Sequence, residues 1–312
     1  MSKALVELGR SLGRLGYQFT TVTPGAQELV NARAGNTEAR CLRDVFGWSR
    51  PFATGLLPPR LFELMAAAEV LERVGTGDLW RSLIRFSTIE GLLFAHSAFP
   101  TTSQEAVFFG PDSVRFVNAL VRAAPPSKRL VDVGCGTGVG GLVLARRGVG
   151  VNGLVLADIN EHALRLARVN AELAGVTAEL VRSDVLTSVD GEVDLVIANP
   201  PYLRDEQHRW YRDGAGEYGE ALGARIVREA LRRLADSSRG GTLLLYTGAP
   251  VVEGRDVFLS AIKDDLQRAS ARYSYSELDP DVFSEELAKP AYADVERIAA
   301  VFLQVYVAPR GG

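Results

Sequence analysis

The sequence predicts an α/β fold: a seven-stranded, mostly parallel sheet with an antiparallel last strand, covered by helices and preceded by a smaller, mainly helical N-terminal domain. Three observations carry this reading. From about residue 105 short apolar runs alternate with helix-like runs, the pattern of strands buried on both faces and joined by crossover helices. A glycine-rich turn follows the first such run. Two strand-like segments close the chain without a regular crossover between them, as an antiparallel pair added to a parallel sheet requires.

Taken in order, residues 2–15, 27–34 and 60–74 are helical candidates, the last apolar at Leu61, Phe62, Leu64, Met65, Ala68, Val70 and Leu71. Residues 79–87 and 92–95 read as a small hairpin, and helix followed by hairpin is compatible with a winged-helix module. Pro100-Thr101-Thr102-Ser103-Gln104 reads as a joint, dividing the chain into residues 1–104 and 105–312. Beyond it, Arg129–Val133 and residues 154–157, 178–182, 194–198 and 242–246 are strand-like. Helices are expected at 140–147, Glu161–Ala174 and Ala221–Ala235. Ala163, Leu164, Ala167, Asn170 and Ala171 follow helical spacing, and Asp158-Ile159-Asn160 offers N-cap chemistry before them. Residues 272–277 and 299–307 complete the seven strands.

A chain of 312 residues suits one large or two modest domains. With 47% hydrophobic and 23% charged residues and a net charge of −3, the composition points to neither a nucleic-acid binder nor an acidic tail. Residues 1–60 hold eight Lys/Arg against four Asp/Glu, and the remainder 27 against 34. That mild bias suits an acidic partner, although such surfaces are ordinarily only solvated. Cys41, Cys135, His96, His162 and His208 lack ligand spacing, so no metal site is expected. No basic head with an apolar run opens the chain, and no apolar stretch reaches the roughly 18 residues that span a membrane. A soluble cytoplasmic protein without a membrane partner is the expectation.

The segment Leu130-Val131-Asp132-Val133-Gly134-Cys135-Gly136-Thr137-Gly138 runs from strand into turn. Its glycines allow a tight turn and close approach of a ligand to the backbone, and the helix behind them presents unpaired N–H groups. At the end of the next strand Asp158 is placed to accept from ribose hydroxyls. Gly136-x-Gly138-x-x-Gly141 also satisfies the dinucleotide fingerprint, which leaves an NAD enzyme open. Two acids weigh against it. Asp132 would repel a pyrophosphate but suits a ligand bearing an ammonium and a sulfonium, and Asp184, before Val185, suits an adenine amine.

The strand at 194–198 ends in Asn199-Pro200-Pro201-Tyr202, at the carboxyl end where open α/β sheets bind ligands. The Asn199 carboxamide oxygen and the Pro200 carbonyl are acceptors, and a neutral NH₂ group offers two donors. Holding both protons turns the nitrogen lone pair away from them. The prolines keep the acceptors rigid, and Tyr202 offers a face for a planar amide or base.

On these motifs, residues 106–308 resemble the class I, Rossmann-like S-adenosylmethionine-dependent methyltransferases with an N-P-P-Y signature. They look most like release-factor glutamine methyltransferases and the relatives that methylate exocyclic base amines. The resemblance implies an enzyme with a class I methyltransferase catalytic domain at 105–312; residues 1–104 are expected to form a substrate-recognition domain, although they do not clearly match the helical recognition domain of the glutamine enzymes. It implies that Asp132, Gly134, Gly136 and Gly138 line the methionine end of S-adenosylmethionine, Asp158 holds its ribose, and Asp184 with Val185 its adenine. Asn199, Pro200 and Tyr202 would receive the acceptor nitrogen, with Asn199 also close to the cofactor. The run Phe108-Phe109-Gly110-Pro111-Asp112 falls where such enzymes wrap the cofactor.

Unlike the glutamine enzymes, this chain follows its tetrapeptide with a polar run, 204–219, containing His208, Trp210 and Tyr211. That run reads either as a substrate-covering loop or as a surface insertion. The acceptor is expected to be a protein glutamine, with a nucleic-acid base amine or a small-molecule amine as alternatives. A cofactor-binding scaffold is the non-enzymatic alternative.

Overall fold

A computed structural model describes residues 2–150 and 153–309. Seven strands lie in the spatial order Arg272–Asp279, Val295–Val307, Gly241–Val252, Leu195–Ala198, Arg129–Val133, Gly153–Asp158 and Glu179–Arg182. From Gly241–Val252 onward the pairings are parallel, whereas Val295–Val307 runs antiparallel to both its neighbours. This is the expected sheet, with the antiparallel strand last in sequence. A two-residue strand, Arg255–Asp256, folds back on Val251 and Val252.

Period-two alternation sends each strand's side chains to opposite layers. Leu130, Leu195 and Ile197 pack with Phe116, Leu142 and Leu156 on one face. Val131, Val133, Val196 and Ala198 pack with Ile226, Val227 and Phe258 on the other. Both faces being dry, Leu195–Ala198 is fully buried, which explains its unbroken apolar run. Strand order reverses at Arg129–Val133, flanked by Leu195–Ala198 and Gly153–Asp158. Such a switch point opens a crevice beyond the carboxyl ends, and the glycine turn and Asn199 both fall there.

The first hundred residues contain the helices Ser2–Arg14, Pro24–Asn31, Leu42–Phe46 and Pro59–Ala67. They surround a third core, with Phe46, Phe52, Met65 and Phe86, which closes on helix Glu161–Ala174 through Ala163, Leu166 and Val169. Two expectations here are corrected. The helix expected at 60–74 ends at Ala67, because Glu69 adopts a left-handed conformation (φ 59) and the Val70 N–H turns back to Met65 O. The chain continues as strand Leu71–Val74; Val70 and Leu71 fitted either periodicity. The strand expected at 79–87 is broken at Leu83, where Ser82 Oγ bonds both the N–H and the carbonyl of Ile84. Leu79–Ser82 pairs with Leu71–Val74 and Phe52–Ala53, while Ile84–Ile89 forms the hairpin with Leu92–Ser97. Glu90 and Gly91, at φ 51 and 74, make the turn with both central residues left-handed, as two-residue hairpins favour.

One carboxamide ties this hairpin to the crevice. The fully buried Asn170 accepts from Ala95 N at 2.7 Å and donates to Ala95 O and Thr137 O, both at 3.0 Å.

Candidate active site at the switch point of the sheet

A cavity of about 480 Å³ occupies the crevice, within the range of small-molecule sites. Asp132, Gly134, Gly136, Asp158, Asp184, Val185, Asn199, Pro200 and Tyr202 line it. Gly138, singled out with them in the sequence, does not line it. It stands at φ 76 as the cap of helix Val139–Arg146, in space that a Cβ would share with Leu156 at 3.1 Å.

The glycine turn is left-handed at three positions, Gly134, Gly136 and Gly138 (φ 63, 54 and 76), which only glycine adopts without strain. Asp158 fixes it: Oδ2 accepts from Gly136 N and Oδ1 from Asn160 N, each at 2.8 Å. Burial raises the Asp158 pKa, and those N–H groups oppose the rise. Asp132 Oδ2 accepts from Gly141 N at 2.8 Å, in the first turn of the following helix. Burial pushes its pKa to about 8, against the pull of the Gly141 N–H, and the nearby Asp158 charge adds to the rise.

Asp184 makes a two-pronged ion pair with Arg225, at 2.9 and 2.8 Å. Val185 sits at φ 55, a conformation uncommon for a β-branched residue and of the kind that accumulates at ligand clamps.

The half-buried Asn199 has no hydrogen bond from its carboxamide to the described residues, although it lines the cavity. Tyr202 contrasts with it. The ring lies against Gly248, where a Cβ would come within 2.2 Å, and edge-on to Tyr246 and Phe283. The hydroxyl donates to Asp112 Oδ2 at 2.7 Å, and Tyr246 donates to Asp112 Oδ1 at 2.8 Å. Asp112 also pairs with Arg115, which reaches Asp279. Sequence reading placed Asp112 in a wrapping segment and missed this clamp; its local signal was that of an acid in a helix's first turn.

Residues 204–219 close one side of the cavity. Tyr211 stacks on Phe108 with centroids 5.6 Å apart, and its hydroxyl donates to Thr101 O at 2.7 Å. Trp210 N donates to Gln104 O, and Arg204 N to the Tyr292 hydroxyl. Arg209 is held by Asp205 and Arg212 by Glu286. His208 points outward, paired with Asp213, and does not line the cavity.

The cavity's chemistry favours a cationic ligand over a pyrophosphate. Among the described residues its only basic lining groups are Arg209 and Arg212, both already paired with carboxylates. Asp132, Asp158 and Asp184 line it with carboxyl groups, which a cationic ligand would draw into their charged form, and the residues present fit a zwitterion carrying an extra cation.

Residues 110–247 match the family model described as the methyltransferase small domain. Among curated proteins, the ribosomal RNA small subunit methyltransferase C of Chromohalobacter salexigens is 34% identical over 125 residues, covering 40% of this chain and 33% of that protein. The release factor glutamine methyltransferase of Deinococcus radiodurans is 35% identical over 127 residues, covering 38% of this chain and 44% of that protein. The chain therefore spans less than half the length of these relatives. Its fold is similar to that of wild-type Trm5b from Pyrococcus abyssi, with a TM-score of 0.50 and 14% identity over 76% of this chain and 62% of that one. Among the described residues no helix is long and apolar enough to cross a membrane.

Proposed function

We propose that the protein is an S-adenosylmethionine-dependent N-methyltransferase whose acceptor is a planar amide or amine nitrogen, foremost a protein glutamine. The observation that carries this reading is the Asn199 carboxamide, which has no hydrogen-bond partner among the described residues and is held on a rigid Pro200-Pro201 step in the same cavity as the glycine turn. Polar groups lining a site without protein partners are ordinarily reserved for a ligand.

Asp132, Gly134 and Gly136 would hold the methionine end of the cofactor, Asp158 the ribose, and Asp184 with Val185 the adenine. Gly138 would act indirectly, by fixing the turn. The Asp158 and Asp184 oxygens, though bonded to protein, each retain a lone pair for this purpose. When bound, S-adenosylmethionine supplies a methyl group already activated on a sulfonium. The chain's own task is alignment and charge stabilisation. Asn199 Oδ1 and the Pro200 carbonyl would accept hydrogen bonds from the two N–H groups of the acceptor, aim its lone pair and offset the positive charge that develops on nitrogen. As the N–C bond forms the S–C bond breaks, S-adenosylhomocysteine leaves, and the nitrogen's surplus proton is released to water. No general base is needed before transfer. Tyr202 holds its place beside Asn199 through Asp112, leaving little of its ring for stacking.

The exposed Trp210, with Tyr211 and Phe108 on the cavity wall, also suits an unstacked nucleobase. Incubation with methyl-labelled S-adenosylmethionine and a cell extract separates the readings. Label in protein, recovered as N-methylglutamine after enzymatic digestion, is the expected result. Label in nucleic acid or small molecules would overturn the glutamine acceptor but retain the transferase. Label in no fraction would count against both.

A further inference from the structure

The N-terminal region contains two buried arginines with opposite fates. Arg50 is 7% exposed and neutralised: Nη1 meets Asp44 at 2.6 Å, Nε meets Asn31 at 2.9 Å, and the guanidinium lies over Trp48. Arg85, on strand Ile84–Ile89, is 5% exposed, and its Nε and Nη2 have no hydrogen-bond partner. Its guanidinium lies 5.5 Å from the Phe19 ring centroid, a contact that offsets only part of the cost of burying a charge.

Among the described residues no carboxylate neutralises it. The neighbouring polar groups are Tyr17, which donates to Phe86 O, and the cross-strand His96, bonded to Ser87 and Ser97 O. His96 is held neutral by burial and by the Arg85 charge. Even with its pKa lowered to about 10 by burial, the guanidinium is protonated at neutral pH.

Arg85 lines a small pocket of about 10 Å³, room for one oxygen atom. Gln27, whose buried Oε1 is likewise unpartnered, lines it too. Pro24, Phe99, Thr101 and Phe108 border both this pocket and the large cavity. The pocket therefore adjoins the large cavity, separated from it by these four shared residues, and Arg85 lines the smaller of the two.

We infer that Arg85 is an oxyanion receptor: it takes an oxygen of a carboxylate-class group carried by a molecule that occupies the large cavity. Two unpaired N–H donors in a rigid fork match such a group, and the missing counter-charge is then the ligand's. The inference rests on the proposed function only in placing an acceptor in the cavity, and its test requires neither acceptor nor cofactor.

The full chain is unfolded thermally at constant ionic strength in sodium chloride, sodium formate and sodium phosphate, beside Arg85→Met and Arg85→Lys. Formate is expected to raise the wild-type midpoint saturably, by roughly 2–4 °C at about ten times its Kd. Arg85→Met is expected to melt no lower than wild type in chloride and to ignore formate; Arg85→Lys should respond more weakly. A response to formate alone assigns a carboxylate, and a response to phosphate as well widens the class to oxyanions. A wild-type midpoint that formate and phosphate move no more than chloride would overturn the inference whether or not the variants fold. So would an undiminished response in Arg85→Met.

Discussion

The Tyr202 hydroxyl donates to Asp112 Oδ2 at 2.7 Å across 90 residues of sequence, and Tyr246 closes the other oxygen of the same carboxylate. The last residue of the Asn-Pro-Pro-Tyr turn is thereby fastened to the helix that starts at Pro111. Burial, with the Asp112 charge beside it, raises the Tyr202 pKa well above its usual value, so the phenol remains a donor at all ordinary pH. Tyr202→Phe leaves a buried carboxylate short of one donor. A loss of about 1–3 kcal/mol in stability is expected by urea unfolding, with lower turnover and little change in cofactor affinity. Unchanged stability and turnover would show that the clamp does not position the turn.

Asn199 has the opposite character, with no partner for its carboxamide among the described residues. Asn199→Ala should therefore leave the unfolding midpoint and S-adenosylhomocysteine affinity nearly unchanged, while turnover falls by about 10²–10³, the scale of one preorganised polar contact. Turnover near that of the wild type would reject Asn199 as the group that holds the acceptor nitrogen.

Asp158→Ala acts on the cofactor instead. Losing a charged hydrogen bond costs about 1.5–3 kcal/mol, roughly a 10- to 150-fold weaker Kd by calorimetry. Because Asp158 also fixes Gly136 N, the more conservative Asp158→Asn should recover part of the affinity. Equal affinity in wild type and Asp158→Ala would remove Asp158 from the site.

Asp132 sets a pH dependence. Its folded pKa, near 8, lies above the value of about 4 expected in the unfolded chain. The folded state therefore binds more protons between those values, and stability falls as pH rises from about 4 through about 8. A cationic ligand favours the charged carboxylate, so S-adenosylmethionine affinity should rise over pH 6–8.5 while intrinsic stability declines. Asp132→Asn should flatten both trends. Parallel pH series of urea unfolding and calorimetry check this, and a wild-type stability that rises across the interval would contradict it.

What the sequence revealed follows the range of the interactions involved. That Gly134, Gly136, Asp158 and Asn199 come to one cavity was legible because each lies at the end of its own strand or in the turn just after it. Asp112 with Tyr246, 134 residues apart, and Asn170 with Ala95, 75 apart, depend on tertiary folding and leave no local trace. Asn170 even passed as one position of a helical stripe. The end of helix Pro59–Ala67 was hidden for a different reason. Left-handed Glu69 is a backbone choice that a non-glycine residue does not advertise, and the apolar residues after it suit either element. The two pockets could be anticipated only in part, since Arg85 looks in sequence like any charged residue in a hairpin.

That this cavity receives S-adenosylmethionine rather than a dinucleotide is checked by calorimetric titration with S-adenosylhomocysteine and with NAD. Saturable one-to-one binding of S-adenosylhomocysteine, weakened in Asp158→Ala, with no heat from NAD, is the expected result. Binding of NAD in place of S-adenosylhomocysteine, or of neither, would overturn the assignment of this cofactor.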